Sequence, residues 1–306
     1  MKPIIEINGL SCTYGGKQAV RDITLSVPEG SIYAFLGTNG AGKTTTIRTL
    51  MNLLKPKKGT TKIFDVPSSQ LGPKELAQIG YLSENQSLPE SLTVQELIEY
   101  SRAIYPTWDD ALCDKLSGIL ALPLNQKLSQ FSRGMKIKAA FLISLAYRPR
   151  LLVLDEPFSG LDPLVRDELI QSLLVLFEQE NWTMFVSSHD IDEVERLADW
   201  VGILDRGRLC LSEPIETLRA RFRRTDVTLP EGEFFKNTLP ELGLLFEATE
   251  GSARWTDNHF INDDTTAEQV RKYFPQGTAF TTTALSLREI FVAATRALRL
   301  NSQAIL

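Results

Sequence analysis

Apolar residues in the first two thirds of the chain form either short continuous runs or longer segments with a period of three to four residues. Short β-branched runs are typical of strands, and continuously apolar runs are typical of a sheet covered on both faces. Strands are predicted over 4–7, 23–27, 32–36, 60–64, 151–154, 184–187 and 201–204. Helices are predicted over 42–54, 93–104, 109–121, 134–147, 163–180 and 190–198. This alternation predicts an α/β fold with a helical subdomain at about 82–148.

The pattern changes after Ser212. The remaining residues are rich in threonine, with a weak strand-like run over 243–249 and helical periodicity over 265–273 and 286–299. The 306 residues are enough for two domains with hydrophobic cores. We therefore expect a first domain over 1–212 and a small accessory α+β domain over 213–306.

Composition and charge exclude several classes of protein. The formal net charge of −5 disfavours a nucleic-acid partner, which usually requires a basic surface. No window approaches the roughly 18 consecutive apolar residues that would span a bilayer, and the first residues lack the layout of a signal peptide. We expect a cytoplasmic chain without direct membrane insertion, so that any membrane association depends on a partner.

A phosphate-binding motif follows the predicted strand 32–36 and opens the next helix. A glycine-rich turn lets several backbone N–H groups converge on phosphate oxygens, and the helix N-terminus adds partial positive charge. The lysine of such a loop reaches the β- and γ-phosphates of a nucleoside triphosphate, and its final hydroxyl is suited to Mg²⁺. The candidate residues are Gly37, Thr38, Asn39, Gly40, Ala41, Gly42, Lys43 and Thr44, with Thr45 directly after them.

Two carboxylates end the apolar run 151–154. Ligands of open α/β sheets lie at the carboxyl ends of the strands, which is where Asp155 and Glu156 stand. As in P-loop ATPases, Asp155 is expected to hold Mg²⁺ through its water shell, and Glu156 to orient the attacking water.

With these two motifs the chain resembles the ATP-binding subunits of ABC transporters, because a third motif lies between them. The segment 131–135 begins 24 residues (155 − 131) before Asp155 and looks like the family's signature in the form found in ABC-2-type exporter ATPases. The resemblance implies that it binds the γ-phosphate held by the other subunit. Arg133 and Met135 replace a glycine and a glutamine of the pattern. The candidate residues are Ser132, Arg133, Gly134 and Met135.

Other positions match the same family. The resemblance implies that Tyr14 stacks on adenine, that Asp162 belongs to the loop that crosses the dimer interface, and that His189 contacts the γ-phosphate. Lys43, Glu156 and His189 are then the catalytic set. The metal ligands are Thr44, Asp155 and a sensor, for which both Glu84 and Gln86 are candidates, with Glu84 favoured.

The resemblance covers about residues 3–212 and implies ATP and Mg²⁺ as ligands. The resemblance also implies a head-to-tail dimer of ATPase subunits, here expected to be a homodimer. This dimer is expected on the inner face of the cell membrane, beneath an integral permease. A weak match of 286–291 to exporter ATPases favours export. The alternatives are a soluble ABC-type ATPase in repair or translation, and a P-loop kinase or GTPase, which would leave the signature and His189 unexplained.

Overall fold

The computed structural model describes residues 2–180, 182–233, 239, 242–249 and 251–303, without the side chains of 178, 179 and 301–303. The chain forms two compact units, Met1–Leu209 and Cys210–Leu306. The domain boundary expected after residue 212 and the accessory role expected of residues 213–306 remain predictions.

An antiparallel sheet opens the first unit. The hairpin β1 (Pro3–Tyr14) and β2 (Lys17–Pro28) is joined by β4 (Lys58–Ile63) and β5 (Val66–Pro67) in the order β2-β1-β4-β5. Alternate apolar residues of these strands are fully buried in one core with side chains of the second sheet. The predicted strands 4–7, 23–27 and 60–64 are confirmed, and the first two are longer than their apolar runs.

The second sheet of this unit carries five parallel strands in the order β9-β3-β8-β7-β6. Every residue of β3, β7 and β8 is buried, which explains why their sequences read as continuous apolar runs. The strands are β3 (Ile32–Gly37), β6 (Ile79–Leu82), β7 (Leu151–Asp155), β8 (Thr183–Ser188) and β9 (Trp200–Asp205), followed by β10 (Arg208–Pro214), inside which the division of the two units falls.

The helices of the first unit follow the predicted periodicity, with one short addition at α2. Thr93 and Glu96 form the expected capping box at the start of α3. The first helix ends four residues earlier than predicted because Asn52, just beyond its C-cap, adopts a left-handed conformation (φ 58°). The helices are α1 (Lys43–Leu50), α2 (Pro73–Leu76), α3 (Val94–Ile104), α4 (Asp110–Ile119), α5 (Arg133–Leu145), α6 (Pro163–Glu180) and α7 (Ile191–Glu195).

The second unit is an antiparallel sheet with helices, as predicted. Its sheet has the order β12-β13-β11-β14, and the fully buried Trp255 stacks on Phe246 and Phe274 with ring centroids 6.5 and 5.8 Å away. The predicted strand 243–249 and both predicted helices are present, whereas three strands had no clear apolar pattern. The elements are α8 (Ile215–Arg221), β11 (Arg223–Thr228), β12 (Leu244–Thr249), β13 (Ser252–Asp257), α9 (Asp263–Tyr273), β14 (Ala279–Ala284) and α10 (Leu287–Gln303). In the part of the chain described, no helix is both long and apolar enough to cross a membrane.

Candidate nucleotide site

Three adjacent strands of the parallel sheet bring the predicted site together. The phosphate-binding loop follows β3, His189 follows β8, and Asp155 ends β7. Ser188 lies opposite Leu36 on one side, and Ser187 lies opposite Asp155 on the other. Because parallel strands end at one edge of the sheet, residues more than 100 positions apart in sequence become neighbours there.

The loop itself depends on glycine. Gly40 and Gly42 have φ angles of 78° and 112°, which residues with a side chain rarely adopt. A Cβ on Gly42 would lie 2.5 Å from the carbonyl oxygen of Ala19, and one on Gly37 would lie 2.6 Å from that of Leu204. Gly37 and Gly42 therefore have no room for a side chain, and the curled backbone leads directly into α1 with Gly42 as its N-cap. The loop is thus a cradle of the kind that phosphate oxygens occupy.

Lys43 is only 5% exposed and is held inside this loop. Its Nζ donates to the carbonyl oxygens of Gly37, at 2.6 Å, and Thr38, at 3.2 Å. The same ammonium lies 3.0 Å from Glu156 Oε1. A buried ammonium therefore faces the cradle with a carboxylate at its side, which limits the cost of burying either charge.

Glu156 links Lys43 to His189. Its Oε2 lies 2.7 Å from His189 Nδ1, and its backbone N–H donates to Ser187 Oγ at 3.0 Å. The residue adopts a left-handed conformation with φ 51°, which is costly for a residue with a side chain and is typical of functional sites. This turn directly after β7 places the carboxylate between the lysine and the imidazole.

Asp155 is 1% exposed, and its Oδ1 accepts hydrogen bonds from Ser187 Oγ at 2.8 Å and Thr44 Oγ1 at 3.1 Å. Burial raises the pKa of the Asp155 carboxyl above its ordinary value, and the two hydrogen bonds act against this shift. The Thr44 hydroxyl and this carboxylate are adjacent hard oxygen donors, which is the donor chemistry that Mg²⁺ prefers. The residues present therefore fit a magnesium ion bound together with a nucleotide.

Lys43, Thr44, Glu156 and His189 line a cavity of about 220 Å³, and Asp155 lies behind Thr44 without lining it. Of the two sensor candidates, Glu84 lines this cavity, whereas the side-chain oxygen of Gln86 accepts from Ser83 Oγ at 3.2 Å. Ser159, which the sequence analysis did not propose as a ligand, also lines it. The lining residues are Asn39, Gly40, Lys43, Thr44, Glu84, Glu156, Ser159 and His189.

The signature segment does not line this cavity. Ser132 is exposed, and its hydroxyl accepts the backbone N–H of Met135, at 3.3 Å, as the N-cap of α5. Gly134 is buried, and a Cβ there would lie 2.7 Å from Val165 Cγ1 of α6. Arg133, which replaces a glycine of the signature pattern, lies against the chain's own 159–162 loop. A Cβ on Gly160 of that loop would lie 3.2 Å from the guanidinium carbon of Arg133.

Two further predicted residues also lie outside the cavity. Asp162 Oδ1 accepts the backbone N–H groups of Leu164 and Val165, both at 3.1 Å, and so caps the start of α6. Tyr14 is 56% exposed at the tip of the β1–β2 hairpin. Their contacts with ATP stay predictions.

Comparison with known proteins identifies the family. A family model described as ABC transporter matches residues 20–159, and a second, described as AAA domain, putative AbiEii toxin, Type IV TA system, matches 124–195. The bacitracin transport ATP-binding protein BcrA of Bacillus licheniformis is 36% identical over 226 residues, 73% of this chain and 74% of that protein. The chain belongs to the ATP-binding proteins of ABC transporters.

Further matches agree with this ABC family. The lantibiotic transport ATP-binding protein SrtF of Streptococcus pyogenes is 30% identical over 69% of this chain and 90% of that protein. A solved structure of an ATP-binding subunit of an ABC transporter superposes with a TM-score of 0.63 at 28% identity, over 71% of this chain and 92% of that one. The chain is therefore an ABC ATPase subunit, which binds and hydrolyses ATP to drive transport. ABC ATPases dimerise and pair with permeases.

The residue that joins the two acidic positions of this ABC site belongs to none of the predicted motifs. Ser187 is fully buried, donates to Asp155 and accepts from Glu156. The available signal was a pair of hydroxyl residues at the end of the apolar run 184–187, where a strand core usually stays apolar. Its role depends on the register between β7 and β8, which the sequence alone does not reveal.

Proposed function

We propose that this ABC ATPase works with Mg²⁺ as a head-to-tail homodimer beneath an integral membrane permease and powers the export of peptide antibiotics or similar peptides. One observation supports the dimer: Lys43, Glu156 and His189 contact one another and line one cavity within a single chain, whereas Ser132 of the same chain is exposed and lies outside that cavity. A second copy supplies the missing hydroxyl.

In this proposal Lys43, Glu156 and His189 do the chemistry. Triphosphate takes the place of the Gly37 and Thr38 carbonyl oxygens as the partner of Lys43, and the glycine-rich backbone donates to the phosphate oxygens. Release of Lys43 to the phosphates frees Glu156 Oε1 to accept a proton from the attacking water, while His189 holds Oε2 and faces the γ-phosphate. Thr44, Asp155 and Glu84 would hold Mg²⁺, which neutralises the developing phosphate charge.

The second copy completes the site. Its Ser132 hydroxyl and the first N–H groups of its α5 would bind the γ-phosphate, with Arg133 and Met135 beside them and Asp162 at the interface. Tyr14 would stack on adenine, for which an exposed hairpin tip is suitable. Hydrolysis then removes the group that joins the two subunits, and the dimer opens.

The substrate class is supported by the relatives. Bacitracin and lantibiotics appear in the names of the two proteins compared above. Since substrate selection belongs to the permease in this architecture, the ATPase chain contributes the energy and the direction follows the permease.

The decisive experiment purifies tagged Glu156→Gln protein with Mg-ATP from native membranes in mild detergent. Loss of the carboxylate should keep ATP bound, slow turnover at least ~100-fold and trap the dimer, so that a polytopic membrane protein co-purifies with it. Lys43→Ala protein, which cannot hold the dimer closed, is the matched control. Undiminished turnover would contradict the catalytic role of Glu156. Recovery of soluble partners alone would contradict the proposed association with a permease.

Direction and substrate need a second measurement. The co-purified complex, with wild-type ATPase, is reconstituted in proteoliposomes, and bacitracin is the probe. ATP added outside should drive bacitracin into vesicles whose ATPase subunits face outward, which corresponds to export. Absence of accumulation with normal ATPase activity would contradict the peptide substrate and leave the ATPase assignment intact.

A further inference from the structure

An arginine outside the predicted motifs lies between the 159–162 loop and the histidine segment. Arg166 belongs to the first turn of α6, directly after the cap residue Asp162. Its Nη1 lies 2.6 Å from Glu193 Oε1 and 3.2 Å from Asp190 Oδ2. The two carboxylates stand one and four residues after His189, so a single guanidinium holds both.

The contacts of these carboxylates involve the residues on both sides of the histidine. Glu193 is 8% exposed, and its second oxygen accepts from Ser188 Oγ at 3.0 Å. The same hydroxyl accepts the backbone N–H of Asp190 at 3.0 Å. Ser188 and Asp190 are the residues on either side of His189, so the network fixes the backbone at both flanks of the imidazole. Burial raises the pKa of the Glu193 carboxyl, and the hydrogen bond from Arg166 acts against this shift, so Arg166 stabilises the ionised form.

We propose that Arg166 is a positioning residue for His189. It holds Asp190 and Glu193, and through them it aims the His189 imidazole at Glu156 Oε2, 2.7 Å away. It also ties that aim to the start of α6, whose cap residue Asp162 ends the 159–162 loop. The inference rests on the proposed roles of His189 and Glu156 in hydrolysis.

The chain offers a matched control between the same two elements. Arg196 Nη1 lies 3.3 Å from Asp167 Oδ1, one residue after Arg166, but these side chains are 50% and 61% exposed. Exposed ion pairs contribute little because water and salt screen them. Arg196→Met therefore removes an arginine from the same helix contact without touching the buried network.

The direct test is nuclear magnetic resonance of protein labelled with ¹⁵N only in histidine. The sequence has two histidines, so His259 serves as an internal reference, and its signals are assigned with His259→Asn. In Arg166→Met the ring nitrogen signals of His189 should shift away from their wild-type positions, while those of His259 stay. Arg166→Lys keeps a cation and should move His189 less, and Arg196→Met should leave both histidines unchanged.

Kinetics supply the second readout. Arg166→Met should lower kcat for ATP by about 10- to 100-fold, the usual effect of a misplaced catalytic group, with KM changed less than about 2-fold. Arg166→Lys should recover part of kcat, and Arg196→Met should retain wild-type values. Thermal unfolding identifies any variant that is not folded, and conclusions are then drawn from Arg166→Lys.

Three results would overturn the inference: an unmoved His189 signal in folded Arg166→Met protein, equal losses in Arg166→Met and Arg196→Met, or a loss carried by KM. Failure of the proposed function is read separately, from His189→Ala. If that variant hydrolyses ATP at the wild-type rate, His189 has no role in hydrolysis, but the resonance shift in Arg166→Met still decides whether Arg166 positions it.

Discussion

The phosphate-binding loop and the signature segment both stand at the start of a helix, yet their functional side chains have opposite environments. Lys43 is buried and contacts two loop carbonyl oxygens and Glu156, so its position is fixed before a nucleotide arrives. Ser132 is exposed, and its hydroxyl caps its own helix. In the proposed dimer, the first half of the site is built by one chain, and the capped helix end at Ser132 forms the second half only when it faces another copy.

The contrast between Lys43 and Ser132 is tested most strongly by substituting Ser132. Ser132→Asp keeps the N-cap, because aspartate caps helices as well as serine does, but it places a negative charge where the partner's triphosphate would lie. Like-charge contacts at interfaces cost several kcal/mol, so dimerisation in Mg-ATP should weaken at least ~100-fold. Sedimentation in the Glu156→Gln background measures the dimer, and equilibrium dialysis measures ATP binding to the monomer, which should be unchanged.

Ser132→Asn separates charge from cap in that experiment. Asparagine has the size and capping ability of aspartate without its charge, so its dimer should be weakened far less. If the aspartate variant dimerises as well as the asparagine variant, the signature does not face phosphate. If ATP binding to the monomer falls, Ser132 belongs to the same chain's site and the contrast with Lys43 is wrong.

Lys43→Ala should act on the opposite half of the site. A charge-assisted phosphate contact contributes about 1.5 to 3 kcal/mol, so the affinity of the monomer for ATP should fall at least ~10-fold. Because the contact is with the outer phosphates, affinity for adenosine should change little, which makes adenosine the control ligand. Calorimetric titration measures both, and an ATP affinity equal to the wild-type value would show that Lys43 does not contact phosphate.

The sequence predicted the site best where a single segment carries it. The loop 37–44 and the acidic pair after the run 151–154 each combine a strand, a turn and a fixed set of residue types, so local sequence is sufficient. Their convergence was also predictable, because parallel strands end at one edge. Ser187 and Arg166 were not, since their roles arise from the register of β8 beside β7 and from the packing of α6 on the 188–193 segment.

The second unit shows the same limit at the level of the fold. The strand over 243–249 was predicted, but β11, β13 and β14 mix threonine and other polar residues with few large apolar ones and show no clear apolar alternation. Their burial depends on a few large side chains, above all Trp255, packed between sheet and helix. Period-two patterns this weak become strands only through pairing with distant neighbours, which local sequence does not encode.

The smallest expected effect is the change in stability that results from burying the Asp155 carboxylate in the nucleotide site of one chain. Because burial raises the pKa of Asp155, its ionised form opposes folding, and Asp155→Asn should stabilise the nucleotide-free protein at pH 7 by on the order of 1 kcal/mol. The gain should disappear as the pH falls below about 3.9, where the carboxyl is protonated in the unfolded chain and in the native state. Urea unfolding at several pH values measures this gain in stability, with Asp114→Asn, at an exposed position, as the control.

Mg-ATP should reverse the order of stability and stabilise the wild-type protein more than Asp155→Asn, because the carboxylate that destabilises the free chain is the one that the metal requires. A variant that is less stable than wild type without nucleotide at pH 7 would mean that the hydrogen bonds from Thr44 and Ser187 outweigh burial, and that this half of the site stabilises the chain by itself.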